Sequence, residues 1–169
     1  MARPPHPVRF TRHPVHGEKE KKTRGMRILD VGTGTGVLAI AAAKAFRRRV
    51  LASDIDPVAV GVARENARLN AAAPLAEFIT AAGLDAHRLR QRGPFDLVLA
   101  NILLGPLVLL SRPMGRLLAP GGRVVLSGLL DSQAQTALAA YRAQGLRLER
   151  HIRLEGWSTL VLRRPALPR

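Results

Sequence analysis

The run Asp30-Val31-Gly32-Thr33-Gly34-Thr35-Gly36 carries the strongest chemical signal in the chain. A short apolar stretch (Met26, Ile28, Leu29) precedes it, and an alanine-rich one, Val37 to Phe46, follows. That order reads strand, glycine turn, helix. Glycines let the backbone take positive φ and let a ligand come close to the main chain. The N–H groups that open the helix then face the ligand with partial positive charge. Such a loop suits a nucleotide-like cofactor or a carboxylate. The dinucleotide fingerprint is G-x-G-x-x-G. Here the third glycine comes one residue early, and Val37 stands in its place.

Asp54 closes a second apolar run, Val50-Leu51-Ala52-Ser53, and lies 18 residues beyond Gly36. Acids at about this offset bond the ribose hydroxyls in βαβ nucleotide folds. A carboxylate can accept two hydrogen bonds from a vicinal diol. A turn-forming or capping role is the other reading of Asp54. Asp56-Pro57 reads as helix N-cap and first helical residue. A third chemical point is Asn101, at the end of the apolar run Phe95 to Ala100. Its amide has one acceptor and two donors without charge, and could orient an amine nucleophile. A local strand-end turn is the alternative. No Ser/His/Asp or Cys/His constellation is evident. His87 and His151 read as surface residues. His13 and His16 have no third ligand nearby, so no metal site is expected.

The elements that must hold these residues alternate between strand and helix, the mark of an α/β sheet. Strands are predicted over Arg27–Val31, Val50–Ser53, Ala76–Thr80, Phe95–Ala100 and Arg123–Ser127. Helices are predicted up to Phe46, over about Pro57–Asn70, and in a short stretch at Leu84–Leu89. Another covers Pro106–Leu118, bent or interrupted at Pro113. A last one starts at Asp131 or Ser132 and runs to Gln144. Pro120-Gly121-Gly122 reads as a tight turn before the fifth strand. Leu146–Leu154 and Trp157–Arg163 read as an antiparallel hairpin about Glu155-Gly156. Leu146, Leu148, Ile152 and Leu154 are expected on one face of it. The total is seven strands, the last two antiparallel. In that fold Asn101 sits beside the glycine loop, where the strand order reverses and ligands bind.

Bulk properties agree with one globular unit. The chain has 169 residues, 47% of them hydrophobic, and no cysteine. Disulfides and cysteine metal sites are thereby excluded. No apolar run reaches the ~20 residues that span a bilayer, so no membrane partner is expected and a cytoplasmic location is the default. Residues 1–25 hold four prolines and a charged run, Glu18 to Lys22, and are expected to form a flexible arm. Residues 26–164 are the expected domain, and 165–169 a tail. The net charge is +15, from 27 Lys and Arg against 12 Asp and Glu. Such a charge points toward polyanions such as RNA. Plain compositional bias is the competing reading, and the few aromatics argue against a base-stacking platform.

Acidic-x-G-x-G-x-G resembles the first motif of class I S-adenosylmethionine-dependent methyltransferases. Three further segments narrow the likeness: Asp96-Leu-Val-Leu-Ala-Asn-Ile-Leu-Leu-Gly-Pro-Leu, Leu118-Ala-Pro-Gly-Gly with Leu126-Ser-Gly-Leu-Leu, and Glu155-Gly-Trp-Ser-Thr-Leu-Val-Leu-Arg-Arg. From about Met26 to Arg164 the chain resembles the ribosomal protein L11 methyltransferase family (PrmA). The resemblance implies a Rossmann-like, seven-stranded α/β domain with helices on both faces, mostly parallel, ending in an antiparallel hairpin. It implies S-adenosyl-L-methionine as cofactor and a basic, ribosomal protein as substrate. Asp30, Gly32, Thr33, Gly34 and Gly36 would line the methionine part. Asp54 would hold the ribose, with Ile55 beside it, and Ala82 in Ala81-Ala82-Gly83 would meet the adenine. Asn101 would match the asparagine at the methyl-transfer site. Many relatives place an acid directly after that glycine, where this chain has Leu84 and then Asp85. Members of the family also carry an N-terminal recognition domain and a linker, for which 169 residues leave no room. Their Gly/Thr/His-rich segment before the loop has only a faint counterpart in Phe10-Thr11-Arg12-His13-Pro14.

Three functions follow. The first is N-methylation of lysine or N-terminal amines on a ribosomal protein. The second is a class I methyltransferase for RNA or a small molecule. The third is a non-catalytic module that binds a cofactor or a ribonucleoprotein.

Overall fold

A computed structural model describes residues 25–166. Seven strands form one sheet in the order β3-β2-β1-β4-β5-β7-β6. They are β1 (Ile28–Val31), β2 (Val50–Asp54), β3 (Ala76–Thr80), β4 (Phe95–Asn101), β5 (Leu118–Leu130), β6 (Arg147–Leu154) and β7 (Trp157–Arg163). The first five run parallel, and β7 is antiparallel to both β5 and β6. The helices are α1 (Val37–Phe46), α2 (Pro57–Leu69), α3 (His87–Arg92), α4 (Leu104–Leu109), α5 (Ser111–Leu117) and α6 (Ala134–Arg142). The expected architecture is therefore present.

All four residues of β1 are buried, as a central strand covered on both faces requires. Alternation along it sends Ile28 toward α1 and α2, where Ala39, Ile40, Ala43 and Val60 pack. Leu29 and Val31 face the other layer, with Leu107, Met114, Leu138 and Tyr141. At α2, the Asp56 carboxylate accepts the Val58 N–H at 2.8 Å, and Pro57 opens the helix. Asp56→Ala is expected to lower stability by about 1 kcal/mol, read by urea unfolding, because the Val58 N–H loses its cap.

Several local expectations are corrected. The helix after β4 breaks at Leu110, not at Pro113. Pro113 falls in the first turn of α5, where a missing N–H costs no helical bond. The short helix lies at His87–Arg92, later than expected, with Leu89 fully buried as its anchor. Pro120-Gly121-Gly122 lies inside the span of β5, since Gly121 N–H and Gly122 C=O both bond to the backbone of Arg164. A 3-10 turn, Asp131–Gln133, precedes α6, and the Gln133 side chain caps the Leu130 N–H. The hairpin does not keep its four apolar residues on one face. The register shifts between Leu148 and Arg150. Leu148 therefore lies opposite Leu162 on the covered face, whereas Ile152 and Leu154 are exposed. One extra residue reverses every later side chain.

No helix among the described residues is long and apolar enough to cross a membrane. The expected arm, with His13, His16 and the Phe10–Pro14 segment, lies outside the described residues except for Gly25; 167–169 of the tail also lie outside.

Candidate functional site

Strands β1 and β4 are neighbours, but the chain leaves them in opposite directions, toward α1 and α4. Their carboxyl ends thus open a crevice. The register places Val31 opposite Ala100, so Asn101 stands at the rim beside Gly32.

The glycine loop is held from β2. Gly32 and Thr33 both donate their N–H to the Ser53 carbonyl, at 2.8 and 3.0 Å. Gly32, Gly34 and Gly36 have φ of 67°, 54° and 84°. The three glycines serve different ends. A Cβ on Gly32 would overlap the Ile102 side chain, so that glycine lets β4 close on β1. A Cβ on Gly36 would lie 3.1 Å from Ala63 and 3.2 Å from Phe78, so the third glycine seats α2 and β3 against the loop. Around Gly34 the same position meets nothing within 4 Å among the described residues. That is the open side of the loop. Asn66 adds a brace from α2, donating to the Thr35 carbonyl at 2.9 Å.

Two carboxylates converge here. Asp54 accepts the Gly34 N–H at 2.7 Å through one oxygen and the Asp56 N–H at 3.1 Å through the other. Each oxygen keeps a further lone pair for a ligand hydroxyl. Asp30 is only 1% exposed. One of its oxygens accepts from Thr33 Oγ1 at 2.6 Å and from the Ala39 N–H at 3.1 Å. The other, Oδ1, is buried with no hydrogen-bond partner among the described residues. Burial pushes the Asp30 carboxyl up to about 6. The bonds from Thr33 and Ala39 oppose that rise, and the Asp54 charge adds to it. An unpaired buried acceptor is costly and marks a place where a donor or cation belongs.

Ile55 is 72% exposed beside Asp54, and Ala82 is exposed on the loop after β3. Leu84 turns into the core. The structure thus brings Asp30, the glycines, Thr33, Asp54 and Ile55 to one rim, with Ala82 on the loop after β3 and Asn101 at the end of β4 at its sides.

Two residues that shape the site carry no chemistry of their own. Gly128 has φ of 73°, and a Cβ there would overlap Asn101 Oδ1. It sits in the irregularity where the β5–β7 register shifts between Leu126 and Leu129. A glycine inside the apolar run of β5 is the sequence signal for such a bulge. Ile102, against Gly32, is the other. His151 is also corrected: it is half-buried, and its Nε2 lies 2.9 Å from Ser158 Oγ. Ser158 in turn donates to Asp131. The serine sits between the other two, which is not the order of a catalytic triad, where the histidine links serine to acid. His87 is exposed.

Comparison with known proteins agrees with this geometry. The family model for Ribosomal protein L11 methyltransferase (PrmA) matches residues 15–165. The L11 methyltransferase of Bradyrhizobium diazoefficiens is 60% identical over 144 residues, which are 85% of this chain and 49% of that protein. That of Rhodopseudomonas palustris is 60% identical over 135 residues, 80% of this chain and 46% of the relative. The chain spans about half the length of the curated relatives it matches. The crystal structure of a ribosomal protein L11 methylase from Lactobacillus delbrueckii superposes with a TM-score of 0.71 at 30% identity, over 86% of this chain and 77% of the other. The family model covers most of the chain, and the chain belongs to the ribosomal protein L11 methyltransferase (PrmA) family.

Proposed function

We propose that this chain is an S-adenosyl-L-methionine-dependent methyltransferase domain acting in the cytoplasm on amino groups of a ribosomal protein, at a lysine or an N-terminal amine. The observation that carries the reading is the buried, unpartnered Asp30 oxygen beside the open face of Gly34 and the Asp54 carboxylate. The names of the relatives support the substrate class.

The residues present fit the cofactor. Asp30 would accept from a cationic amino group, which suits a carboxylate short of a partner. Gly32, Thr33, Gly34 and Gly36 would line the same part of the ligand. Asp54 would take the ribose hydroxyls, and Ile55 and Ala82 would flank the adenine. Bound there, S-adenosylmethionine supplies a methyl group activated by its sulfonium. The chain supplies alignment and exclusion of water. Asn101 would accept an N–H of the incoming amine through its side-chain carbonyl and so aim the nitrogen lone pair. Burial at the rim disfavours the charged ammonium and helps the amine shed its proton.

Calorimetric titration of S-adenosylhomocysteine into the whole chain tests the cofactor site. Gly34→Ala is expected to weaken that affinity by ~10-fold or more, since its methyl would fill the open face. Radiolabelled methyl transfer should mark a ribosomal protein. Label in RNA or metabolites instead would support the second expected function, and no binding at millimolar ligand would leave only a non-catalytic module.

A further inference from the structure

The arginines are not spread evenly over the fold. The carboxyl rim of the sheet holds Asp30, Asp54, Asp56 and Asp131. The opposite end, where β1 to β5 begin, is strongly basic. There Arg27, Arg48, Arg49 and Arg92 line a groove of about 610 Å³, with Glu77 the one acid in its wall among the described residues. A second groove of about 390 Å³ takes Arg90, Arg116 and Arg164, and no acid lines it among the described residues. The stretch from Arg90 to Phe95 lies between the two grooves and borders both. The basic surface is therefore continuous across the base.

Part of this charge is tied to the fold: Arg27 donates to the Gly93 carbonyl, Arg90 to that of Asp85, and Arg164 to those of Gly115 and Leu118. Glu77 is shared by Arg88, at 2.6 Å, and Arg92, at 2.8 Å. Arg27 faces Asp96 only loosely, at 3.9 Å. Arg48, Arg49 and Arg116 face no carboxylate among the described residues. The Arg48 Nε is buried in the wall without a hydrogen-bond partner among the described residues. A guanidinium donor without an acceptor beside a groove calls for an anion. Arg48, Arg49 and Arg116, three cations without a carboxylate spread over two adjoining grooves, suit a chain of phosphates better than one ion. Among the described residues neither wall holds Tyr or Trp, and Phe95 is buried, so those residues offer bases no platform to stack on.

We propose that this base is an RNA-binding surface that grips the phosphate backbone without reading sequence. Binding there leaves the rim with Asp30, Asp54 and Asn101 free on the far side of the sheet. The surface stands whether or not the rim transfers methyl groups.

The test is fluorescence anisotropy of the whole chain with a fluorescein-labelled 20-nucleotide poly(U) RNA, over a range of salt. One variant, Arg49→Ala with Arg116→Ala, removes a cation from each groove. A matched variant, Arg150→Ala with Arg153→Ala, removes two from the outer strand β6. Circular dichroism and Tm check that both fold. The groove variant is expected to weaken binding ~10-fold at 0.1 M salt and to flatten the log Kd against log salt slope by about 1.4, or ~0.7 for each phosphate left without its arginine. The matched variant is expected to change neither by a comparable amount. Equal weakening by both variants would overturn the proposal, as a diffuse charge effect. So would polyglutamate of similar length competing as well as unlabelled RNA, since the surface would then fit an acidic protein.

Discussion

Asp30→Asn is expected to weaken S-adenosylhomocysteine binding by ~10- to 100-fold while removing a pH-dependent cost from the unliganded protein. The affinity loss is that of a charge-assisted hydrogen bond, about 1.5–3 kcal/mol. The stability effect has a definite sign. Burial raises the folded-state carboxyl from its ordinary 3.8 to about 6. Between those values the folded form holds a proton that the unfolded form has released. Stability therefore falls as pH rises from about 4 to 6, by roughly 3 kcal/mol for this group. Above pH 6 the ionised Asp30 is a standing strain that a cationic ligand relieves. Ligand affinity should thus climb as pH rises through 6 in the parent and stay flat there in Asp30→Asn. Urea unfolding and calorimetry across pH 4–8, taken as differences between the two proteins, read both effects. Taking the difference matters because other carboxylates pull the opposite way: Glu77 and Glu149 are held below their ordinary range by arginines, so their contributions fade as the medium turns acidic. Equal affinity of the two proteins at pH 8 would remove Asp30 from the ligand site.

Asn101→Ala is expected to lower kcat by about 100-fold, with S-adenosylhomocysteine affinity nearly unchanged, because misalignment of the reacting pair costs roughly that much. Gly128→Ala should reproduce the loss while leaving the asparagine in the sequence. Its new methyl would overlap Asn101 Oδ1, and its φ of 73° adds strain of about 1 kcal/mol. The double variant decides the mechanism. If Gly128 acts only by seating Asn101, then Gly128→Ala costs nothing further once Asn101 is already alanine. Additive losses would show that the bulge in β5 serves some other step. A kcat unaltered in Asn101→Ala would end the assignment altogether.

The fold was readable because its signals are local. Apolar runs at Val50–Ser53 and Phe95–Ala100, each followed by a polar residue, Asp54 or Asn101, mark buried strands with their carboxyl ends at a rim. Asp56-Pro57 marks a helix start through bond geometry that depends on two residues alone. The errors share a physical cause. The face reversal in β6 needs the pairing with β7, since the extra residue at Glu149 is defined only against a partner strand. That residue is placed where its carboxylate meets Arg123, at 2.6 Å, from a strand laid down 26 positions earlier. Likewise Pro120-Gly121-Gly122 joins β5 because Arg164, far along the chain, returns to bond it. The helix break at Leu110 rather than Pro113 reflects where α5 begins, which packing of Ser111 and Met114 into the core determines.

By itself, the order of residues determined the chemistry available: a turn without side chains, two acids at strand ends and an amide opposite them. Each follows from steric freedom, formal charge or hydrogen-bonding capacity, which a residue carries wherever it lies. Tertiary structure decided which of these groups are in want of a partner. Only the folded sheet buries Asp30 so that one oxygen is unpaired, parks Asn101 under Gly128, and gathers scattered arginines at one end. Those properties depend on solvent exclusion and on neighbours distant in the chain, and neither exists until the strands are laid side by side.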